Sequence, residues 1–251
     1  MKTRLWIACL VITFPLGAQT KVEKSIPVKS GQKLNLDFDY PEVKLHTWDK
    51  ADILVTGTVS INKGENDNAF ELEINSTESG VSVKSHLKDK ENIPHRIAIK
   101  KGDREYYFKA SSYNDPEVQK FLEENGREYS YMSNGIIQEI KLEVFVPKNI
   151  ETLVVSKYGL VEVFNFEAPL TIEAKYGGID ASIQATGLGQ LTARAQYGEI
   201  LSNLEVKFNQ QTSGEKSNKR WTEISATFGN GPNYFLDSKY GNVYLRKEIR
   251  K

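Results

Sequence analysis

The sequence predicts an all-β protein built as a right-handed single-stranded β-helix, a β-solenoid with coils of about 20 residues. Three observations lead there. Thr, Val, Ile, Tyr and Phe are frequent, while long stretches of 3.6-residue apolar periodicity are scarce. Apolar and polar residues alternate over many short runs, as along Leu34-Asn35-Leu36-Asp37-Phe38. Finally, a tripeptide recurs: Lys157-Tyr158-Gly159, Lys175-Tyr176-Gly177, Gln196-Tyr197-Gly198 and Lys239-Tyr240-Gly241. The tyrosines lie 18, 21 and 43 residues apart, the last gap being about two of the others. Stacked coils produce such a period.

The amino terminus reads as a secretory leader over residues 1–18. Lys2 and Arg4 form a basic start, Leu5 to Phe14 an apolar run, and Pro15-Leu16-Gly17-Ala18 a small-residue exit, with cleavage expected after Ala18. Cys9 lies inside the apolar run, which continues through Leu10-Val11-Ile12, so an ordinary cleaved leader is expected rather than an acylated cysteine. Cys9 is the single cysteine, and its loss with the leader excludes disulfides and thiol chemistry from the mature chain. No later segment has the roughly 18 consecutive apolar residues of a membrane helix. The expected location is the periplasm, the outer-membrane surface or the exterior. Acidic and basic residues balance at 33 each, and removal of Lys2 and Arg4 leaves a net charge of −2. That balance argues against nucleic acid as a partner.

Residues 19–251 are expected to form one domain. Tyr40-Pro41-Glu42-Val43-Lys44-Leu45 reads as a weak copy of the repeat with proline in place of glycine, and Ile53, Val55, Gly57 and Val59 alternate after the Trp48-Asp49 turn. The pattern fails at about residues 88–135, which read as an insertion. Within it, Asp115-Pro116-Glu117 is a helix start and Asn125-Gly126 a stop. The aromatic residues Tyr106, Tyr107, Tyr113, Tyr129 and Tyr131 make this insertion the candidate contact surface for a partner. The alternative is that they pin the insertion to the main body.

In the repeats, the small residues Ser156, Ala174, Ala195 and Ser238 stand two before each tyrosine, and an aliphatic residue or alanine stands four before. Alternation then places the tyrosines on the same, buried face, with glycine taking the bend at positive φ. Tyr158, Gly159, Tyr176, Gly177, Tyr197, Gly198, Tyr240 and Gly241 are thus expected to form a packing ladder, and Phe228-Gly229 is included as a weaker copy. An antiparallel sandwich with Tyr-Gly as hairpin punctuation is the competing architecture. It is disfavoured because hairpins need not repeat one signature every second strand.

Chemistry is sparse. His46, His86 and His95 lack ligand spacing, and no nucleophile elbow, phosphate loop or zinc-protease helix occurs. Asp37 and Asp39 share a face without a third partner, and Gly64-Glu65-Asn66-Asp67-Asn68 lacks the spacing of a calcium loop. No catalytic residue, cofactor or metal is expected.

The leader, the segment Val43-Lys44-Leu45-His46-Thr47-Trp48-Asp49, the strand Ile140 to Pro147, the Tyr-Gly coils and the closing Ser238-Lys239-Tyr240-Gly241-Asn242-Val243 together resemble the adhesin-like β-strand-repeat families of Gram-negative envelopes (head-GIN-like), domains without an established activity. The resemblance implies a β-helix-like fold in the cell envelope and an adhesin-like, non-enzymatic interaction scaffold binding a protein or glycan. A sensory component linked to a sigma/anti-sigma system is the first alternative, and a carbohydrate-active β-helix enzyme the second.

Overall fold

Alternating side chains fix which face of each strand is buried, and that pattern organises the chain into two large sheets around one core. The computed structural model describes residues 19–212 and 221–248; the leader expected at 1–18 lies outside them. The first part of the chain forms β1 (Thr20–Pro27), β2 (Lys33–Phe38), β3 (Glu42–Trp48), β4 (Asp52–Ile61), β5 (Phe70–Ser76) and β6 (Gly80–Leu87). The insertion follows with β7 (Arg96–Lys101), β8 (Arg104–Phe108), α1 (Pro116–Asn125) and β9 (Tyr131–Gly135). After β10 (Gln138–Pro147) come the repeats: β11 (Thr152–Ser156), β12 (Val161–Phe164), β13 (Leu170–Ala174), β14 (Ile179–Ile183), β15 (Gln190–Ala195) and β16 (Ile200–Ser202). Four strands finish the chain: β17 (Asn209–Thr212), β18 (Thr222–Thr227), β19 (Tyr234–Ser238) and β20 (Val243–Lys247).

One sheet has the order β1-β4-β10-β3-β12-β14-β20-β16, and the other β17-β18-β15-β19-β13-β11-β2-β6-β5. Each Tyr-Gly unit is the corner where the chain leaves the second sheet and enters the first. Within both sheets the repeat strands pair in parallel and in register. Leu36, Val154, Ile172, Leu236 and Ala193 form one buried row, and Val43, Val161, Ile179 and Val243 another. Both rows belong to a single apolar core shared by the two sheets. Each fully buried Val, Leu or Ile there contributes roughly 1.5–3 kcal/mol of transfer free energy.

The expected single-stranded β-helix is not what forms. Such a helix adds coils in chain order, with every strand parallel to its neighbour. Here the sheets are mixed: β1 and β4 pair antiparallel, as do β4 and β10, β5 and β6, β15 and β18, and β17 and β18. Coil order is also broken, because β19 lies between β13 and β15, and β20 between β14 and β16. The architecture is a β-sandwich of two mixed sheets with a parallel centre and antiparallel strands at every edge but one, the β16 edge of the first sheet, which is parallel. The double spacing before Tyr240 has the same origin. The chain leaves β16, forms the β17–β18 hairpin along the edge of the second sheet, and returns inside the stack. Ala226-Thr227-Phe228-Gly229 is therefore no coil, since β18 runs antiparallel to β15.

The insertion folds as a three-stranded antiparallel sheet, β8-β7-β9, with α1 packed on it. The Asp115 carboxylate caps α1 by accepting from the Glu117 N–H at 2.9 Å. Ile97, Ile99, Phe108, Ala110, Val118 and Leu122 form a separate small core.

Candidate functional site

The Tyr-Gly corners build the most regular surface of the molecule. Tyr40, Tyr158, Tyr176, Tyr240 and Tyr197 stack in that order, with ring centroids 5.3, 5.2, 5.2 and 5.1 Å apart and planes within 7–11° of parallel. Their rung spacing follows the separation of neighbouring strands, ~4.8 Å. Backbone hydrogen bonds continue the register through the bend. Tyr158 N–H donates to Asp39 O (3.0 Å), Tyr176 to Lys157 O (2.8 Å), Tyr240 to Lys175 O (3.0 Å) and Tyr197 to Lys239 O (2.8 Å).

Two expectations are corrected here. The rings do not face the core: Tyr158, Tyr176, Tyr240 and Tyr197 are 45–54% exposed, whereas Ser156, Ala174, Ala195 and Ser238 are buried. The strands end at these small residues, so the bend begins one residue before the tyrosine and turns the ring outward. Nor do the glycines serve by taking positive φ, a conformation seen at Gly31, Gly64, Gly102 and Gly126 instead. They serve close approach. A Cβ on Gly177 would lie 2.0 Å from Gly159 O, on Gly241 2.1 Å from Gly177 O, and on Gly198 2.1 Å from Gly241 O. On Gly159 it would lie 1.6 Å from Pro41 O. The glycines thus form a column beneath the tyrosines, beginning at Pro41. Ser156 and Ser238 brace it, each donating its hydroxyl at 2.8 Å to the carbonyl of the following glycine, Gly159 and Gly241.

Membership of the ladder differs from expectation at one rung. Phe228 packs against the core beside Gly189 and takes no part in the stack. Tyr40, from the first coil, occupies a rung instead. Its segment is the weak copy of the repeat that carries proline in place of glycine.

Lysines flank the rings. The ammonium groups of Lys157, Lys175 and Lys239 lie 5.3, 5.0 and 5.3 Å from the centroids of Tyr158, Tyr176 and Tyr240, and Lys90 lies 5.3 Å from Tyr40. The Tyr40 hydroxyl holds the Lys90 ammonium above the usual lysine range. Arg194 lies on β15 and pairs with Asp237. Asp37 and Asp39 line a shallow concavity shared with Glu173, Asp237 and the three lysines, Asp37 lying 3.5 Å from Lys84 and Asp39 3.9 Å from Lys157.

The insertion tyrosines divide into two groups. Tyr106 packs against Phe121 at 4.5 Å, and the Tyr107 hydroxyl donates to Glu65 at 2.7 Å and to Asn62 O at 3.1 Å. Burial, reinforced by Glu65, pushes the Tyr107 phenol up to about 12. These two join the insertion to itself and to the main body. Tyr113, Tyr129 and Tyr131 are 41–42% exposed, with the Tyr131 hydroxyl bonded to Glu105.

The histidines stand apart. On the outer face of the first sheet, His46 stacks between Phe145 and Phe164 at 5.0 and 5.4 Å, and burial there lowers its pKa. His86 lies 3.4 Å from Glu71 on the second sheet. In the polar turn, the Asp67 carboxylate accepts from the Ile61 N–H (2.6 Å) and the Thr20 hydroxyl (2.7 Å), while Glu65 bonds Arg96. Among the described residues, no three His, Cys, Asp or Glu side chains group as metal ligands, and no helix is long and apolar enough to cross a membrane.

No protein-family model and no curated protein matches this chain. Among solved structures, one described as a "putative cell adhesion protein" from Clostridium sporogenes ATCC 15579 aligns over 92% of this chain and 100% of its own. The TM-score is 0.43 and the identity 9%. No residue role is carried over from it.

Proposed function

We propose that this chain is an exported, non-enzymatic, adhesin-like scaffold whose contact surface is the tyrosine ladder. The observation that carries the reading is five tyrosines from separate coils, stacked at 5.1–5.3 Å on a backbone locked by in-register pairing, four of them turned outward and Tyr40 packed partly against the core. Tyrosine suits a contact surface because it offers apolar area and a hydroxyl while freezing few rotors. The scaffold has already ordered these rings, so a partner need not meet that entropic cost. Export is supported by the basic-apolar-small pattern of residues 1–18. The non-enzymatic reading is supported by the outer carboxylates: Asp37, Asp39, Asp180 and Asp237 each face a basic side chain rather than one another.

The test is adherence of cells displaying the protein to envelope or matrix material. Tyr176→Ser with Tyr240→Ser should abolish adherence while leaving a folded protein by circular dichroism. Tyr113→Ser with Tyr129→Ser should leave adherence intact. Loss with the insertion pair and retention with the ladder pair would overturn the assignment.

A further inference from the structure

We infer that the tyrosine corner is a binding strip for a linear acidic glycan of the uronate type, laid along the ladder with one sugar per rung. The inference rests on the scaffold reading above and names its ligand class.

The rings dictate how a ligand is met. Tyr158, Tyr176 and Tyr240 each have a neighbour stacked on both faces, so their exposed part is the edge bearing the hydroxyl. A flat aromatic ligand finds no free face along this stretch. The hydroxyls of Tyr158, Tyr176, Tyr240 and Tyr197 have no protein hydrogen-bond partner among the described residues. The strip is thus a row of donor-acceptor groups spaced one rung apart. An extended β-1,4-linked pyranose chain advances by nearly that distance per sugar, and it carries hydroxyls to meet each phenol. An extended peptide does not match the spacing. Its side chains on one face recur at ~6.6 Å, so it drifts out of register within two rungs.

The charge beside the row selects for acid. Lys157, Lys175 and Lys239 occupy consecutive rungs, with Lys90 at the head of the ladder. Among the described residues, only Lys157 of these four has a carboxylate within ion-pair distance, Asp39 at 3.9 Å. Of the other acids lining the concavity beside the row, Asp37 and Asp237 are paired with Lys84 and Arg194, and Glu173 alone has no ion-pair partner among the described residues, leaving one free carboxylate against the lysines. Successive sugars of such a ribbon are turned by about half a revolution, so carboxylates on the lysine side would meet an ammonium at every second rung, whereas a neutral chain would desolvate those ammoniums without compensation.

Calorimetric titration of the purified protein with oligouronates of increasing length tests this. Affinity should climb with length to about five sugars, one for each stacked ring, then level off, and should weaken with added salt. Lys175→Gln with Lys239→Gln should lower affinity about tenfold, because the two lysines stand on adjacent rungs and one charge-assisted contact is lost in either register of the ribbon. Tyr176→Phe with Tyr240→Phe, which keeps the stack and removes two hydroxyls, should lower it several-fold at unchanged melting temperature. Equal binding of a neutral β-1,4 oligosaccharide, equal binding of an acidic peptide of matched charge, or wild-type affinity in the lysine variant would overturn the inference. If oligouronates fail to bind but the ladder serines still abolish adherence, the ligand class is wrong and the scaffold reading stands. If both fail, both are overturned.

Discussion

Gly177 shows how much a single missing carbon atom carries in this molecule. Its backbone is neither turned to positive φ nor free in space; it is pressed against the Gly159 carbonyl of the adjacent coil. A methyl group there has no flexible side chain to push aside, only backbone. Tyr176 beside it is half-exposed and gains its stability from two stacked neighbours, each worth roughly 0.5–1.5 kcal/mol. The two positions should therefore rank opposite to their size. Tyr176→Ala should cost on the order of 1–3 kcal/mol, less than a fully buried aromatic. Gly177→Ala should cost at least as much through overpacking, ~1–3 kcal/mol or more, because it forces two coils apart. Denaturant unfolding of both variants checks the ranking, and a harmless Gly177→Ala would refute the close-approach account. The glycine's importance was legible in the sequence, but its reason was not. Recurrence marks a constrained backbone position, and a positive φ and a neighbour at 2 Å leave the same mark.

The elements were legible where local chemistry decides them. Asp115, Pro116 and Gly126 bound α1 as their capping chemistry requires, and the alternating runs became strands. The orientation of the tyrosines was not legible. Alternation holds only while the chain stays extended, and the strands stop at Ser156, Ala174, Ala195 and Ser238. The insertion's attachment was also hidden, because it depends on groups far apart in sequence. Arg96 donates to Glu65 at 2.9 Å and Tyr107 to the same carboxylate at 2.7 Å, while the Asn62 amide reaches Pro94 O at 2.9 Å. The Arg96 guanidinium holds the Glu65 carboxyl below the usual carboxylate range. A depressed folded pKa means that this contribution is present above the unfolded value and lost as pH falls through the folded one. Protection of β7, β8 and β9 against hydrogen exchange, taken relative to the intrinsic amide rate at each pH, should thus fall in acid, below the ordinary carboxylate range, while β10–β14 stay protected. Glu65→Gln should accelerate exchange in those three strands several-fold at neutral pH. Unchanged exchange would place the attachment elsewhere.

For the whole molecule, the repeat was legible and the order of its copies was not. Each coil offers its neighbours the same hydrogen-bonding backbone, the same apolar row and the same ring. A coil placed out of chain order therefore satisfies the same contacts as one placed in order. The longer link before Tyr240 allows its coil to enter between those of Tyr176 and Tyr197, with Asn242 Oδ1 accepting from Glu199 N–H at 2.9 Å on one side. The antiparallel edge strands β1, β4, β5, β17 and β18 were read as further coils or passed over, yet they make the sandwich. They also cover both ends of the parallel stack in the second sheet and one end in the first, leaving β16 as the one parallel edge among the described residues. The order of the rungs in the ladder follows the order in which the coils assemble. The most direct test is oxidative coupling of neighbouring tyrosines followed by peptide mapping of the dityrosine links. Links joining Tyr40 to Tyr158, Tyr158 to Tyr176, Tyr176 to Tyr240, and Tyr240 to Tyr197 are predicted. A link between Tyr176 and Tyr197 in the monomer, with none from either to Tyr240, would contradict the ladder.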